Sequence, residues 1–170
     1  MANPSNEIVF ICTANTCRSP MAEGLFRHAL LAQEEPMKSL LVSSAGVSTY
    51  DCQPAANNAV TAMGKVGIDI KNHRSEPITE ALIDRALAFF AMTDTHLAML
   101  SFRVDPPPSN AFLMRQFIGA DATDEIPDPY GMSLPHYEAC RDSMVEAIPS
   151  LLQAVKSLYE AQLADKSADQ

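Results

Sequence analysis

"IVFICTANTCRSPMAEGLF", residues 8–26, changes character twice. An apolar, β-branched run stops at Cys12. Small polar residues, a second thiol at Cys17 and then Arg18 follow, after which a helical pattern begins. Residues 7–11 read as a short buried strand. Ser19-Pro20 reads as a helix start, with Ser19 as N-cap and Pro20 in the first helical position. Leu25, Phe26, Ala29 and Leu30 supply the apolar face of a helix running to about Gln33. Residues 12–18 are then a loop joining a strand to a helix. The N–H groups of such a loop can converge on one point, where the helix dipole adds partial positive charge. Arg18 offers a planar fork that matches two phosphate oxygens. Ser19 can donate its hydroxyl toward the sulfur of Cys12. Dipoles and a guanidinium at that point favour the thiolate. A thiolate aimed at a bound tetrahedral oxyanion is the arrangement for nucleophilic phosphoryl transfer.

Two plainer readings compete. The pair Cys12 and Cys17 resembles half of a zinc site, but a structural zinc needs four ligands. Cys52, Cys140 and the histidines at 28, 73, 96 and 136 are scattered singly. The cysteines can also be small buried hydrophobes. Burial is the better reading for Cys140, on an amphipathic helix, while Cys52 is open. His28, His96 and His136 are expected at the surface or in a second layer.

The rest of the chain alternates strands and helices. Residues 39–46 read as a second strand ended by Gly46, and 55–66 as a helix stopped by Gly67. Residues 77–86 form another helix, opened by Pro77 or capped at Thr79. The fully apolar run LAFFAM (87–92) suits a central parallel strand. Thr93 or Asp94 can cap a helix through Arg103. DPPPSN (105–110) is a loop by composition, and AFLMRQF (111–117) reads as a fourth strand. Residues 119–134 lack periodicity and carry Asp121, Asp124, Glu125 and Asp128. A last helix spans about 135–160, with Pro149 expected to bend it. Residues 161–170 form a polar, frayed tail. The pattern predicts one domain over residues 1–160: an α/β three-layer sandwich with a four-stranded parallel sheet and helices on both faces. Ligands of such sheets bind beyond the carboxyl ends of the strands, where Cys12 sits.

Composition narrows the function. The 170 residues are 47% hydrophobic, enough for a core without disulfides or structural metals. A net charge of −9 disfavours nucleic acid. Four cysteines without a secreted framework, an N-terminus unlike a signal peptide and no long apolar run predict a cytoplasmic protein with no membrane association. Phosphoryl transfer also needs a group to protonate the leaving atom. Asp128 in IPDPYG is the candidate: Pro129 holds it extended, and Asp-Pro-Tyr-Gly favours a type I turn.

These blocks together resemble the low-molecular-weight protein tyrosine phosphatase family. VFICTANTCRSPMAE matches its signature, C-x5-R-[ST]-P after a hydrophobic strand. SSAG (43–46), NHRSEPIT (72–79), LAFFAMTDTH (87–96) and DPYG (128–131) match further blocks in order, so the likeness covers residues 7–158. It implies that Cys12 is the nucleophile forming a phosphocysteine and Arg18 the phosphate clamp. It implies that Asp128 is the general acid and then the base. Thr13, Ala14, Asn15, Thr16 and Cys17 would form the phosphate-binding loop, with Ser19 stabilising the thiolate. Asn15, Ser44 and His73 would hold that loop in shape. Cys17 would pair reversibly with Cys12 under oxidation, and Tyr130 and Tyr50 would wall the cleft. The likeness implies no metal or cofactor, a phosphorylated protein as substrate, inorganic phosphate as product and a monomer. Ala14 stands where the family usually has Gly, which is tolerable with φ below zero or a small shift of the loop. Thr16 stands where tyrosine-specific members usually have Ile. CTANTCRSPMAE is closer to the protein-arginine phosphatase branch, so phosphoarginine is favoured over phosphotyrosine. An arsenate reductase would need two further cysteines after the central strands, and residues 76–104 contain none. A silent phosphate-binding or redox module would lack a working acid, whereas Asp128 is present.

Overall fold

The computed structural model describes residues 5–120 and 122–168. Four strands, β1 (Glu7–Cys12), β2 (Leu41–Gly46), β3 (Ala86–Ala91) and β4 (Ala111–Leu113), make a fully parallel sheet in the order β2-β1-β3-β4. The chain moves from β1 outward to β2, then returns to β3 on the other side. The sheet therefore reverses its strand order between β1 and β3, the place where open α/β sheets bind ligands. Cys12 ends β1 at that point.

Five α-helices cover the sheet among the described residues: α1 (Arg18–Leu30), α2 (Asn57–Gly64), α3 (Glu80–Arg85), α4 (Asp94–Arg103) and α5 (Leu134–Ala168). Alternation along β1 decides the layers, because successive side chains of a strand point to opposite faces. Ile8, Phe10 and Cys12 share one core with Met21 and Phe26 of α1, Met63 of α2 and Met144 and Leu151 of α5. Val9 and Ile11 face the other core, with Leu82 of α3 and Leu100 of α4. All six residues of β1 and of β3 are buried, as the continuous apolar runs require.

Several boundaries differ from the sequence reading. Helix α1 begins at Arg18 with Cys17 in the N-cap position, not at Ser19. The Ser19 hydroxyl is turned to Cys12 and Asn15 instead of capping. Pro20 is then third in the helix, and its missing N–H is still one of those a first turn leaves unpaired. Helix α1 stops at Leu30, and a single 3-10 turn at Met37–Ser39 shortens the second strand. Strand β4 is only three residues long, because the backbone turns after Leu113 and the Gln116 side chain accepts from the Leu113 N–H. Thr79 caps α3 as expected, its hydroxyl accepting from Leu82 N at 3.2 Å. Helix α5 runs through Pro149 without a break and continues to Ala168, so most of the expected frayed tail is helical. Among the described residues no helix is long and apolar enough to cross a membrane. Asp121 lies outside the described residues.

Candidate active site

The loop after β1 is bonded through its carbonyls. Cys12 O accepts from Val47 N and Thr13 O from Ser48 N. Ala14 O accepts from the Thr49 hydroxyl, Asn15 O from His73 Nε2 and Thr16 O from Ala56 N. Five successive carbonyls are thus drawn outward to the surrounding structure. Among the described residues no N–H of residues 13–17 donates to a protein acceptor. A peptide whose C=O is held on one side presents its N–H on the other, so these donors are left free on the side away from the carbonyl partners. Ordinary proteins rarely leave so many backbone donors unpaired. A bound oxyanion at a helix start is the natural acceptor.

Asn15 makes the turn possible. Its φ of 57° lies in the left-handed region, which Asn tolerates better than most residues. Ala14 is not in that region, so its methyl meets the condition set by the sequence. The Asn15 side chain is fully committed: Nδ2 donates to Ser19 Oγ at 2.8 Å and Ser44 Oγ at 2.9 Å, and Oδ1 accepts from Glu76 N at 2.9 Å. Because Asn15 donates to both hydroxyls, each keeps its own hydrogen for another partner. Ser19 can then donate to Cys12 Sγ, 2.9 Å away, and Ser44 donates to Glu23. Glu23 also pairs with Arg27, and its carboxylate lies 3.9 Å from His73 Nδ1. Gly46, at the end of β2, is needed for close approach. A Cβ there would lie 2.8 Å from Thr13 O and 2.6 Å from the Thr49 methyl.

Arg18 rises through the floor, 4% exposed, with Nη1 donating to Ile126 O at 3.0 Å and Nη2 3.3 Å from Asp128 Oδ2. Asp128 is half-exposed, and its Oδ1 accepts from Tyr130 N. The turn closes from Pro129 to Met132, with Gly131 at φ 73°, so it lies one residue later than the type I turn read from the sequence. Cys12, Thr13, Ala14, Thr16, Cys17, Arg18, Asp128 and Tyr130 line one cleft of about 210 Å³. Tyr50, by contrast, does not line it. It is 86% exposed on the loop after β2, where its carbonyl accepts from the Ser75 hydroxyl at 2.6 Å. Among the described residues no group of three or more His, Cys, Asp or Glu gathers as a metal site would require.

Cys17 points into the core, where its sulfur lies 3.4 Å from the Tyr137 hydroxyl; burial pushes this thiol up from its ordinary value. Burial also raises the Cys140 thiol to about 12. Cys52 is exposed. Three contributors had no role in the sequence reading. Glu23 and Thr49 hold the loop from behind and above, and buried His96 contacts Thr13. Glu23 sits in the first turns of α1 beside the loop, a position that hints at its part. Thr49 is recognisable only once β2 is seen to end beside residue 14.

A sheet switch point, a cysteine beside unpaired amides, a buried arginine and a carboxylate opposite define a phosphatase that works through a cysteine nucleophile. The chain belongs to the low molecular weight phosphotyrosine protein phosphatase family, whose model matches residues 7–161. It is 34% identical over 150 residues to a protein-arginine-phosphatase of Bacillus subtilis, covering 88% of this chain and 97% of that one. It is 28% identical over 151 residues to the probable low molecular weight protein-tyrosine-phosphatase EpsP of Ralstonia nicotianae, covering 89% and 97%. The solved YwlE arginine phosphatase of Geobacillus stearothermophilus superposes with a TM-score of 0.77 at 33% identity, covering 89% of this chain and 93% of that one.

Asn15 separates conformation from hydrogen bonding. Asn15→Gly keeps the left-handed turn and loses the side-chain bonds, while Asn15→Ala loses both. Both variants should lose turnover. Denaturant unfolding should place Ala below Gly by about 1 kcal/mol, the cost of a left-handed Cβ. Equal stabilities would mean that the turn is not held there.

Proposed function

We propose that this phosphatase hydrolyses phosphoarginine on proteins. Cys12 attacks phosphorus while the free N–H groups of residues 13–17 and the Arg18 guanidinium bind the three phosphoryl oxygens. The bond from phosphorus to the guanidinium nitrogen breaks, and protonated Asp128 gives its proton to that nitrogen. Asp128, now a carboxylate, takes a proton from water, which displaces Cys12 from phosphorus and releases inorganic phosphate. Ser19 stabilises the departing thiolate. The loop after Cys12, whose N–H groups are left free, carries this reading. In this reading the enzyme acts as a monomer on cytoplasmic phosphoproteins, which is compatible with its acidic composition and with described helices that are too short or too polar to cross a membrane.

Substrate choice turns on Thr16. It lines the cleft with its carbonyl tied to Ala56 N, so its side chain is presented from a fixed backbone. Its hydroxyl is 3.8 Å from Cys17 Sγ, a weak contact that leaves it available to a substrate N–H. A phosphoguanidinium brings several such donors near the scissile bond, whereas Ile would offer only an apolar wall suited to a phenyl ring. Glu125, on the same loop as the acid, adds negative charge that favours a cationic group. The likeness to protein-arginine-phosphatases supports the same choice. Phosphotyrosine is the second reading, favoured by exposed Tyr130 on the cleft wall.

Leaving-group dependence tests Asp128. Asp128→Asn should lower turnover by roughly 10²–10⁴ on a poor leaving group and much less on an activated aryl phosphate. Equal losses on both would remove Asp128 from the acid role.

Thr16→Ile should lower kcat/KM for phosphoarginine peptides by about tenfold to a hundredfold, the cost of an unpaired buried donor. For phosphotyrosine peptides kcat/KM should hold or rise. If both fall together, Thr16 is structural and phosphotyrosine becomes the better substrate.

Cys17 serves as the oxidation partner of Cys12 in this reading. Peroxide converts the Cys12 thiolate to a sulfenic acid; the Cys17 sulfur attacks it, a disulfide forms and water leaves. Dithiothreitol after peroxide should restore activity in the wild type and not in Cys17→Ser. Peptide mass spectrometry with no Cys12–Cys17 linkage after peroxide would end this proposal.

A further inference from the structure

We propose that His96 is a positioning residue whose two ring nitrogens pin Thr13 to Thr93 and thereby tie the phosphate-binding loop to the segment from which the acid loop hangs. The inference rests on the phosphatase reading of the cleft. His96 is 2% exposed at the start of α4. Its Nε2 lies 2.9 Å from Thr13 Oγ1 and its Nδ1 3.0 Å from Thr93 Oγ1. Thr13 directly follows the nucleophile and lines the cleft. Thr93 precedes α4, yet its hydroxyl caps no helix N–H. The cap is forgone for the imidazole.

The same segment carries the acid loop. Ile126 N donates to Met92 O at 2.9 Å, and Asp94 N donates to the Glu125 carboxylate at 2.8 Å. Ile126 O in turn accepts from Arg18. Residues 92–96 therefore touch the nucleophile's loop through His96 and the acid's loop through Met92 and Asp94. A single displacement of this segment would move both reacting groups.

Charge and burial suit a neutral ring. Burial, and then the positive charge of Arg18, lower His96 to about 4, against opposing pulls from Asp128 and Glu125 on the acid loop. A neutral imidazole has one donor and one acceptor nitrogen, and a threonine hydroxyl can satisfy either. Both bonds therefore form in one tautomer or the other without a buried charge.

Two amide side chains separate the bonds. The Gln amide reaches the place of Nε2 and can serve Thr13. The Asn amide reaches only the place of Nδ1 and can serve Thr93. The probes are inorganic phosphate as a competitive inhibitor and turnover of an aryl phosphate. His96→Gln should stay within about threefold of the wild type in both. His96→Asn and His96→Phe should weaken phosphate inhibition and lower kcat/KM by about tenfold. Adding Thr13→Val to His96→Gln should erase the advantage of Gln over Asn.

A ring that only fills space would make Gln and Asn lower Tm alike and leave phosphate inhibition unchanged, and that result overturns the proposal. So does a Phe variant with wild-type phosphate inhibition. Where a His96 variant fails to fold, Thr13→Ser against Thr13→Val makes the same comparison from the other end, and equal phosphate inhibition overturns it. A wild type that binds phosphate but turns over no aryl phosphate would defeat the phosphatase reading instead, while the order of phosphate affinities would still decide the role of His96.

Discussion

Five carbonyls bonded outward, from Cys12 to Thr16, are the constraint on which the active site depends. A loop of small residues has no stiffness of its own, and ordering it costs about 1–2 kcal/mol of backbone entropy per residue. Here the five peptides are fixed from three places: Val47, Ser48 and Thr49 after β2, His73, and Ala56 just before α2. The amides are aimed before any oxyanion arrives. Donors aimed in advance need no reorganisation when charge develops on the transferring group, which is where electrostatic catalysis draws its strength. The sheet enters through this constraint. Parallel pairing of β1 with β2 brings Cys12 level with Gly46, and only a residue without Cβ lets the loop pass so close.

Arg18 joins this cradle to Asp128, the proposed acid. It is almost wholly buried, and its two terminal nitrogens face different duties: one holds the Ile126 carbonyl and the other meets Asp128. The contact with Asp128 contributes little to stability, since the carboxylate is half-exposed and such pairs are worth about 0–1 kcal/mol. Its value is geometric. In the proposed mechanism a phosphoryl group seated on Arg18 lies within reach of Asp128, so the proposed clamp and acid share one frame. The bond to Ile126 keeps the acid loop from drifting away from the arginine.

The fold is legible in the sequence because it rests on local chemistry, and the same chemistry nominates Cys12, Arg18 and Asp128 as candidate reacting groups. The run EIVFI can only be a buried strand here, and a cysteine, an arginine and a Ser-Pro after it restrict what the loop can do. Boundaries are less legible where a side chain has two possible partners. Ser19 is a fair N-cap by residue type, but the sulfur of Cys12 and the amide of Asn15 claim its hydroxyl. Thr93 repeats the pattern, giving up a cap for His96. Tyr50 shows the opposite failure. Its position after β2 suggests a cleft wall, yet the loop is fastened by its carbonyl and the ring is left in solvent. Thr49 and His96 meet the loop across 35 and 83 residues of sequence, so nothing local to either reveals that partner.

Asn15 explains how the loop accepts Ala14. The loop passes through the left-handed region once, at Asn15, and not at residue 14. Residue 14 therefore carries a methyl at no conformational cost. Glycine at 15 would adopt the same backbone more easily but would bring no donors. Asn tolerates the backbone and also directs two hydroxyl hydrogens, one toward Cys12 and one toward Glu23. The residue that turns the chain is therefore the residue that orients the proton held against Cys12. Loop conformation and sulfur chemistry cannot be altered separately at this position.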